Sequence, residues 1–240
     1  MASRMSGMAT ARTTGLVLLL GFAVAAFATT YPQAVLFVTG DATATAANVV
    51  AGKSLFRFGI VCFLVSSLLN TAQTYLFYRL MRPAGPGLAL LAVMFQVIST
   101  TGFAMSQVPY YSVLPILSGA DYLKTFSPDQ LNSLALLSLR VSGFNKALFE
   151  LHYGVGFMLF GYIMLRSGFL PKLVGILLAI GGASFVCMAL GTVLGLQQAS
   201  FLLKLSFTVT TTLVALWLLI KGVDEAKWQE SAAAAGRQSS

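Results

Sequence analysis

Leu173-Val-Gly-Ile-Leu-Leu-Ala-Ile-Gly-Gly-Ala-Ser-Phe-Val-Cys-Met-Ala-Leu-Gly-Thr-Val-Leu-Gly195 contains no Asp, Glu, Lys or Arg, and the run stays free of charge as far as Leu203. A bilayer span needs roughly 20 mostly apolar residues, whereas an apolar run of about 10 to 14 is what a buried soluble helix uses. The stretch is too long and too apolar for a soluble core. The same pattern recurs on either side of it, at Thr13–Gly40, Phe58–Tyr78, Pro83–Ala120, Leu151–Leu165 and Leu205–Ile220. Spans are expected at Thr14–Val38, Phe58–Tyr78, Leu88–Val108, Lys146–Leu165, Leu173–Gly195 and Phe201–Ile220. The fold class that follows is all-α, a polytopic membrane helix bundle with six transmembrane helices.

Composition agrees. Hydrophobic residues make up 57% of the 240 positions and charged residues 9%, against about 25% charged in an ordinary soluble domain. One membrane domain over 13–222 absorbs most of the chain, leaving a cytoplasmic segment 1–12 and a cytoplasmic tail 223–240 without fixed structure. The net charge of +8 does not point to nucleic acid, because the basic residues stand singly at the ends of apolar runs rather than in a stripe. Cys62 and Cys187 fall inside apolar runs with no CxxC spacing, and His152 is the single histidine. A zinc site, which takes three or four Cys, His or acidic ligands, is not expected, nor is any cofactor. Ala26-Phe27-Ala28 offers a signal-peptidase pattern, but apolar character continues through Tyr31 to Val38, so the first span is expected to be retained.

Basic residues divide by side. Arg4, Arg12, Arg79, Arg82, Arg166, Lys172, Lys221, Lys227 and Arg237 fall on one face of a six-span arrangement, and Lys53, Arg57, Lys124, Arg140, Lys146 and Lys204 on the other. The first set packs into the shorter loops, where the positive-inside rule has most force. Both termini are therefore expected in the cytoplasm of a multi-pass cell (inner) membrane protein. The outward loops are then the elaborate ones, with short interfacial helices. Asp41 is placed as an N-cap for a helix within Gly40–Ser54. Ser127-Pro128-Asp129-Gln130 combines a capping box with proline at the first helical position. A helix from Pro128 to Leu165 would be about 57 Å long at 1.5 Å per residue, so a break is expected near Ser142-Gly143. Pro109 and Pro115 are expected to end or kink span three.

Span four is unusual in carrying Asn145, Lys146, Glu150 and His152, since ionisable residues within a membrane mark candidate sites. Lys146 and Glu150 are spaced i, i+4 and can pair. With Arg57, Asp121 and Lys204 they make a candidate polar recess of Arg57, Asp121, Lys146, Glu150, His152 and Lys204, ringed by Tyr110, Tyr111 and Tyr122. The competing explanations are structural ion pairs and basic side chains reaching out of the membrane. Asn70, Gln73 and Gln96 are expected to act as interhelical hydrogen-bonding groups. Gly191–Gly195 is a GxxxG, read as close helix packing or, less specifically, a homodimer face. No catalytic residues are assigned.

Gly40-Asp41-Ala-Thr-Ala-Thr-Ala-Ala-Asn48 with Leu55-Phe56-Arg57-Phe58-Gly59, Leu117-Ser118-Gly119-Ala120-Asp121-Tyr122-Leu123, Phe160-Gly161-Tyr162 through Arg166-Ser167-Gly168-Phe169-Leu170-Pro171, and Leu216-Trp217-Leu218-Leu219-Ile220-Lys221-Gly222-Val223 resemble the bacterial integral-membrane family catalogued as domain of unknown function 4386. The resemblance runs from about Ala11 to Trp228. It implies a six-helix cell-membrane protein and supplies no activity or catalytic residues. The leading functional expectation is a non-enzymatic accessory, sensor-like or complex-forming component, partnered by the lipid bilayer and by a membrane protein or a second copy. A small transporter or permease using the polar recess is the alternative, and a membrane-embedded enzyme comes third.

Overall fold

The computed structural model describes residues 6–196 and 200–238, and every regular element among them is helical. The helices are α1 (Gly7–Leu36), α2 (Ala42–Ala51), α3 (Lys53–Met81), α4 (Pro86–Ile116), α5 (Pro128–Ser167), α6 (Lys172–Val193), α7 (Ser200–Ile220) and α8 (Glu225–Gln238), with 3-10 turns at Arg82–Ala84 and Asp121–Leu123. Six of them, α1 and α3 to α7, are long and apolar enough to cross a membrane. Arg4, counted above among the basic residues, lies outside the described residues.

Packing groups the chain into two compact units. One takes the chain up to Leu20, Leu69–Thr101 and everything from Ala147; the other takes Gly21–Leu68 and Gly102–Lys146. In the first unit α6 shows the logic of a helix dissolved in lipid. It buries Gly175, Gly181, Gly182, Ser184 and Ala189, while Leu173, Ile176, Ile180, Leu190 and Val193 are exposed. Lipid tails are as apolar as leucine, so small residues that let backbones approach are what hold helices together. A methyl added at Gly161 or Gly175 would lie 2.7 Å from the other's carbonyl oxygen, and one at Gly182 would lie 2.5 Å from that of Gly154. Four glycines, spaced by seven on α5 and on α6 and paired in opposite order, bring the two helices into backbone contact. At the other side of α6, Gly181 faces Thr210, and Ser184 donates to Ser206 Oγ at 2.9 Å.

The second unit has an aromatic core. Phe56 stacks on Tyr110 with centroids 4.5 Å apart and planes 7° apart, Phe63 meets Tyr110 edge-on at 5.4 Å, and Phe37 closes the cluster at 6.2 Å. Tyr110 is 2% exposed. It belongs to this core and not to the rim of a recess, because its ring is more useful filling space between α3 and α4 than facing water.

Four local expectations are corrected. First, α5 runs unbroken through Ser142-Gly143 for 40 residues. One glycine costs a helix interior only about 1 kcal/mol relative to alanine and removes no hydrogen bond, so it does not force a break. Because a methyl at Gly143 would meet nothing within 4 Å, Gly143→Ala is expected to raise stability by about 0.5 kcal/mol, measurable as a small rise in the thermal midpoint. Second, α4 continues through Pro109 and Pro115 to Ile116. Each proline removes one i→i−4 hydrogen bond, freeing the carbonyls of Met105 and Tyr111, without forcing the helix to end; nearby, Ser106 and Ser112 donate to the Phe103 and Pro109 carbonyls, each at 2.7 Å. Third, Gly191–Gly195 terminates a helix and is not a packing face. Leu196 N–H reaches back to the Gly191 carbonyl at 2.7 Å, Gly195 N–H to that of Thr192 at 3.4 Å, and Gly195 adopts φ +72°. That is a Schellman ending, which favours glycine because it needs the left-handed region.

Fourth, the tail is helical over Glu225–Gln238. Asp224 accepts from Lys227 N–H at 3.2 Å as its N-cap, and an alanine-rich run propagates the helix. The helix also docks. Asp224 N–H donates to the Phe169 carbonyl at 3.0 Å, and Trp228 Nε1–H to that of Leu80 at 3.1 Å, in the last turn of α3. The Glu225 carboxylate accepts from the N–H groups of Gly7 and Met8 at the start of α1, Ser6 Oγ accepts from Ala9 N–H, and the Ser6 carbonyl accepts from Thr10 N–H. The open donors of Gly7, Met8 and Ala9 at this helix start are thereby satisfied, and Thr10 begins the regular helical bonding.

Burial alone would push the Glu225 carboxyl up, but hydrogen bonds from Met8, Gln229 and Gly7 outweigh it and hold it below its ordinary value. A carboxylate depressed on folding stabilises above its unfolded value, about 4.3, and that contribution is lost as pH falls through the folded value. Protection of the Gly7 and Met8 amides against hydrogen exchange, taken relative to their intrinsic rates at each pH, is therefore expected to be high at neutral pH and to fall below about pH 4. Glu225→Gln should flatten this pH dependence and weaken the cap by about 1 kcal/mol.

Candidate functional site

The end of the second unit that carries α2 is built by capping. Asp41 Oδ1 accepts from Ala44 N–H at 2.8 Å and starts α2 where expected. Thr45 Oγ1 bridges back to Val38, accepting from its N–H at 3.0 Å and facing its carbonyl at 3.2 Å. At the start of α5 the capping box closes both ways: Gln130 Oε1 accepts from Ser127 N–H at 2.8 Å, and Ser127 Oγ from Gln130 N–H at 3.3 Å. These caps fix the backbone on both sides of a groove of about 640 Å³. Ala47 and Val50 of α2 form one wall, with Ile116, Leu123, Phe126 and Leu131 opposite. Its lining is apolar although Val50, Phe126 and the neighbouring Tyr122 are 56%, 45% and 69% exposed. A volume of a few hundred cubic ångströms lined by apolar side chains is the usual form of a binding site.

In the first unit the polar residues of the spans are spent on one another. Gln73 Nε2 donates to Tyr153 Oη at 2.9 Å, Gln96 Nε2 to the Tyr153 carbonyl at 3.2 Å, Ser99 Oγ to the Phe149 carbonyl at 3.1 Å, and Thr100 Oγ1 to Asn70 Oδ1 at 3.1 Å. Asn70, Gln73 and Gln96 therefore join α3, α4 and α5 to each other as expected of interhelical hydrogen-bonding groups. Around Tyr153 lie Phe157 at 4.3 Å, Phe149 at 5.2 Å and Phe185 at 5.7 Å, and Phe185 stacks on Phe207 at 3.7 Å.

Arg57, Asp121 and Lys146 belong to the second unit, and Glu150, His152 and Lys204 to the first. Arg57 and Lys204 are exposed, and Lys146, Glu150 and His152 are half-buried. Asp121 pairs with Lys124 at 2.7 Å, an i, i+3 contact with both side chains largely exposed, which is a weak surface pair. His152 Nδ1 lies 2.9 Å from the Leu148 carbonyl in its own helix, and its ring is 6.0 Å from that of Phe95. A carbonyl can only accept, so Nδ1 carries a proton in that contact.

Reading by charge passed over the groove and Tyr153, because the groove is lined mostly by apolar side chains and Tyr153 stands among aromatic ones. The signal available for the groove was the pair of caps, Asp41 and Ser127–Gln130, which marked two helix starts on the same side. For Tyr153 it was the aromatic spacing Phe149, Tyr153, Phe157 along one helical face.

Long apolar helices and lipid-compatible exposure define a multi-pass helical membrane protein. The chain belongs to the family described as Domain of unknown function (DUF4386), whose family model matches residues 13–222. No curated protein and no solved structure matches it.

Proposed function

We propose that this is a non-enzymatic, complex-forming component of the cell membrane, with both termini in the cytoplasm and the α2–α5 groove presented outside to an apolar segment of a membrane-protein partner. The observation that carries the reading is the groove itself. Apolar surface is left open beside two capped helix starts, where a protein with no partner would ordinarily cover it, and exposed apolar patches of this kind mark interaction sites. The polar residues of the spans support the same reading, since Gln73, Gln96, Asn70 and Thr100 engage one another. The short loops rich in Arg79, Arg82, Arg166 and Lys172 support a cytoplasmic side for those turns.

The test is affinity purification in mild detergent, with the partner identified and its binding then measured against groove variants. Val50→Glu and Ala47→Trp are expected to lower the partner's affinity at least tenfold while changing stability by less than about 0.5 kcal/mol, as for other exposed substitutions. Binding at wild-type strength in both variants would end the reading. A second copy as the occupant would appear instead as a concentration-dependent dimer that the same variants dissociate. Sidedness is checked separately by a reporter that folds only in the cytoplasm, fused to the C-terminus.

A further inference from the structure

The second half of α3 and the first half of α4 form a hairpin within the first unit, joined by the turn Arg82–Ala84. Thr71, Thr74, Tyr75 and Tyr78 recur on one face of α3 at helical spacing, and Val93, Val97, Thr100 and Thr101 on the facing side of α4. Between them runs a groove of about 400 Å³. A lipid-facing surface is expected to be aliphatic, yet this one is lined largely by hydroxyl side chains, and Tyr75 is 59% exposed. The threonines are not free polar groups. Thr74 donates to the Asn70 carbonyl at 3.0 Å and Thr101 to that of Val97 at 3.0 Å, and the one Thr100 hydroxyl hydrogen is shared between the Gln96 carbonyl at 2.9 Å and Asn70 Oδ1 at 3.1 Å. Bonded back to the preceding turn, each of these hydroxyls has spent its hydrogen, so the deep part of the groove is a shallow channel of small side chains. The end nearer the turn differs. Tyr75 and Tyr78 bring two phenolic donors, the Arg79 guanidinium lies over the Tyr75 ring at 5.9 Å, and Arg82 is exposed one turn on. The lining contains no carboxylate.

We propose that this groove holds one glycerophospholipid with a net negative headgroup, drawn from the leaflet on the Arg79 side. Arg79 and Arg82 meet the phosphate, Tyr75 and Tyr78 donate to phosphate or ester oxygens, and one acyl chain lies along Val93, Val97 and the threonine side chains. Tyr78 and Thr71 are seven residues apart, which gives the channel a depth of about 10 Å, enough to seat the first part of a chain below the headgroup. Two cations beside a lining without a carboxylate favour an anionic over a zwitterionic headgroup; the acidic residues of α8, which packs on the Arg82–Ala84 turn, are not part of that lining. A basic side chain close to anionic lipid contributes about fivefold in affinity. This site is separate from the α2–α5 groove, and its test does not depend on a protein partner.

Full-length protein in mild detergent is titrated with mixed micelles of dioleoyl phosphatidylglycerol or dioleoyl phosphatidylcholine, and bound lipid is counted by native mass spectrometry. Phosphatidylglycerol is expected to be retained as a single copy in preference to phosphatidylcholine. Arg79→Gln should weaken retention about fivefold, and Thr101→Trp, which fills the channel from its exposed side, should abolish it. Tyr78→Phe, the mildest change, should weaken retention without altering the unfolding temperature in lipid-free detergent, and it supplies the result if Thr101→Trp fails to fold. Equal retention of the two lipids would overturn the proposal. So would undiminished retention by folded Thr101→Trp, or by Tyr78→Phe and Arg79→Gln together, which would mean lipid held in the detergent belt only.

Discussion

Gly182→Ala is expected to lower the thermal midpoint by about 2–12 °C, and Gly182→Leu to remove the folded species from size-exclusion profiles. The reason is geometric. A methyl at Gly182 would stand 2.5 Å from the Gly154 carbonyl oxygen and 2.9 Å from Met158 N. Those neighbours are backbone atoms, so no rotamer change makes room and α5 and α6 must separate. Overpacking of this kind costs about 1 to 3 kcal/mol, and each kcal/mol moves the midpoint by about 2–4 °C in a chain of this size. In water, helix separation would be resisted by hydrophobic burial, but in lipid the close approach is itself the source of attraction. Gly161→Ala and Gly175→Ala should behave alike, because each methyl would meet the other's carbonyl at 2.7 Å. Gly143→Ala is the control, with open space around it and no expected loss. If Gly182→Ala were neutral or stabilising, the glycines would be bystanders of an interface held by its larger side chains.

That interface shows where the sequence was readable and where it was not. The spans were legible because lipid imposes a constraint on every residue of a run, and the absence of charge from Leu173 to Leu203 needs no partner to be seen. Asp41 and the Ser127–Gln130 box were legible because a cap is a local contact, closed within three residues. Gly182, beside Gly181 in the middle of span five, was legible as a close-packing position, but its partner Gly154 was not, since a glycine pair acquires meaning only when the facing helix is known. The Gly191–Gly195 spacing looked like the packing signal and is a helix ending, because the same residue serves close approach and positive φ equally well. The tail was misread for a related reason. Its helix is polar, and its docking depends on Trp228, Asp224 and Glu225 finding Leu80, Phe169 and α1, contacts that no local window contains.

Tyr153 is the second position where a large effect is expected, and the size of the effect separates packing from hydrogen bonding. The residue is 5% exposed, in contact with Phe149, Phe157 and Phe185, and its Oη accepts from Gln73 Nε2 at 2.9 Å. Tyr153→Ala empties the space between α5, α6 and α7 and is expected to cost about 3 to 5 kcal/mol, as aromatic truncations in cores do. Tyr153→Phe keeps the ring and removes the acceptor. Gln73 is 4% exposed, so its amide is then left buried without that partner, at a cost of about 1 to 3 kcal/mol by soluble-protein measure. Interhelical hydrogen bonds in membranes have measured nearer 0.6 kcal/mol on average, up to about 2. The expected loss for Tyr153→Phe is therefore about 1 kcal/mol, well short of that for alanine. The decisive measurement is the cycle with Gln73→Leu. If the bond joins α3 to α5, the double variant should be about 1 kcal/mol more stable than the sum of the two single losses predicts, because removing both polar groups leaves neither unsatisfied. Additive losses, with each variant costing the same in either background, would mean that Gln73 and Tyr153 are held in place by their helices and contribute nothing through each other.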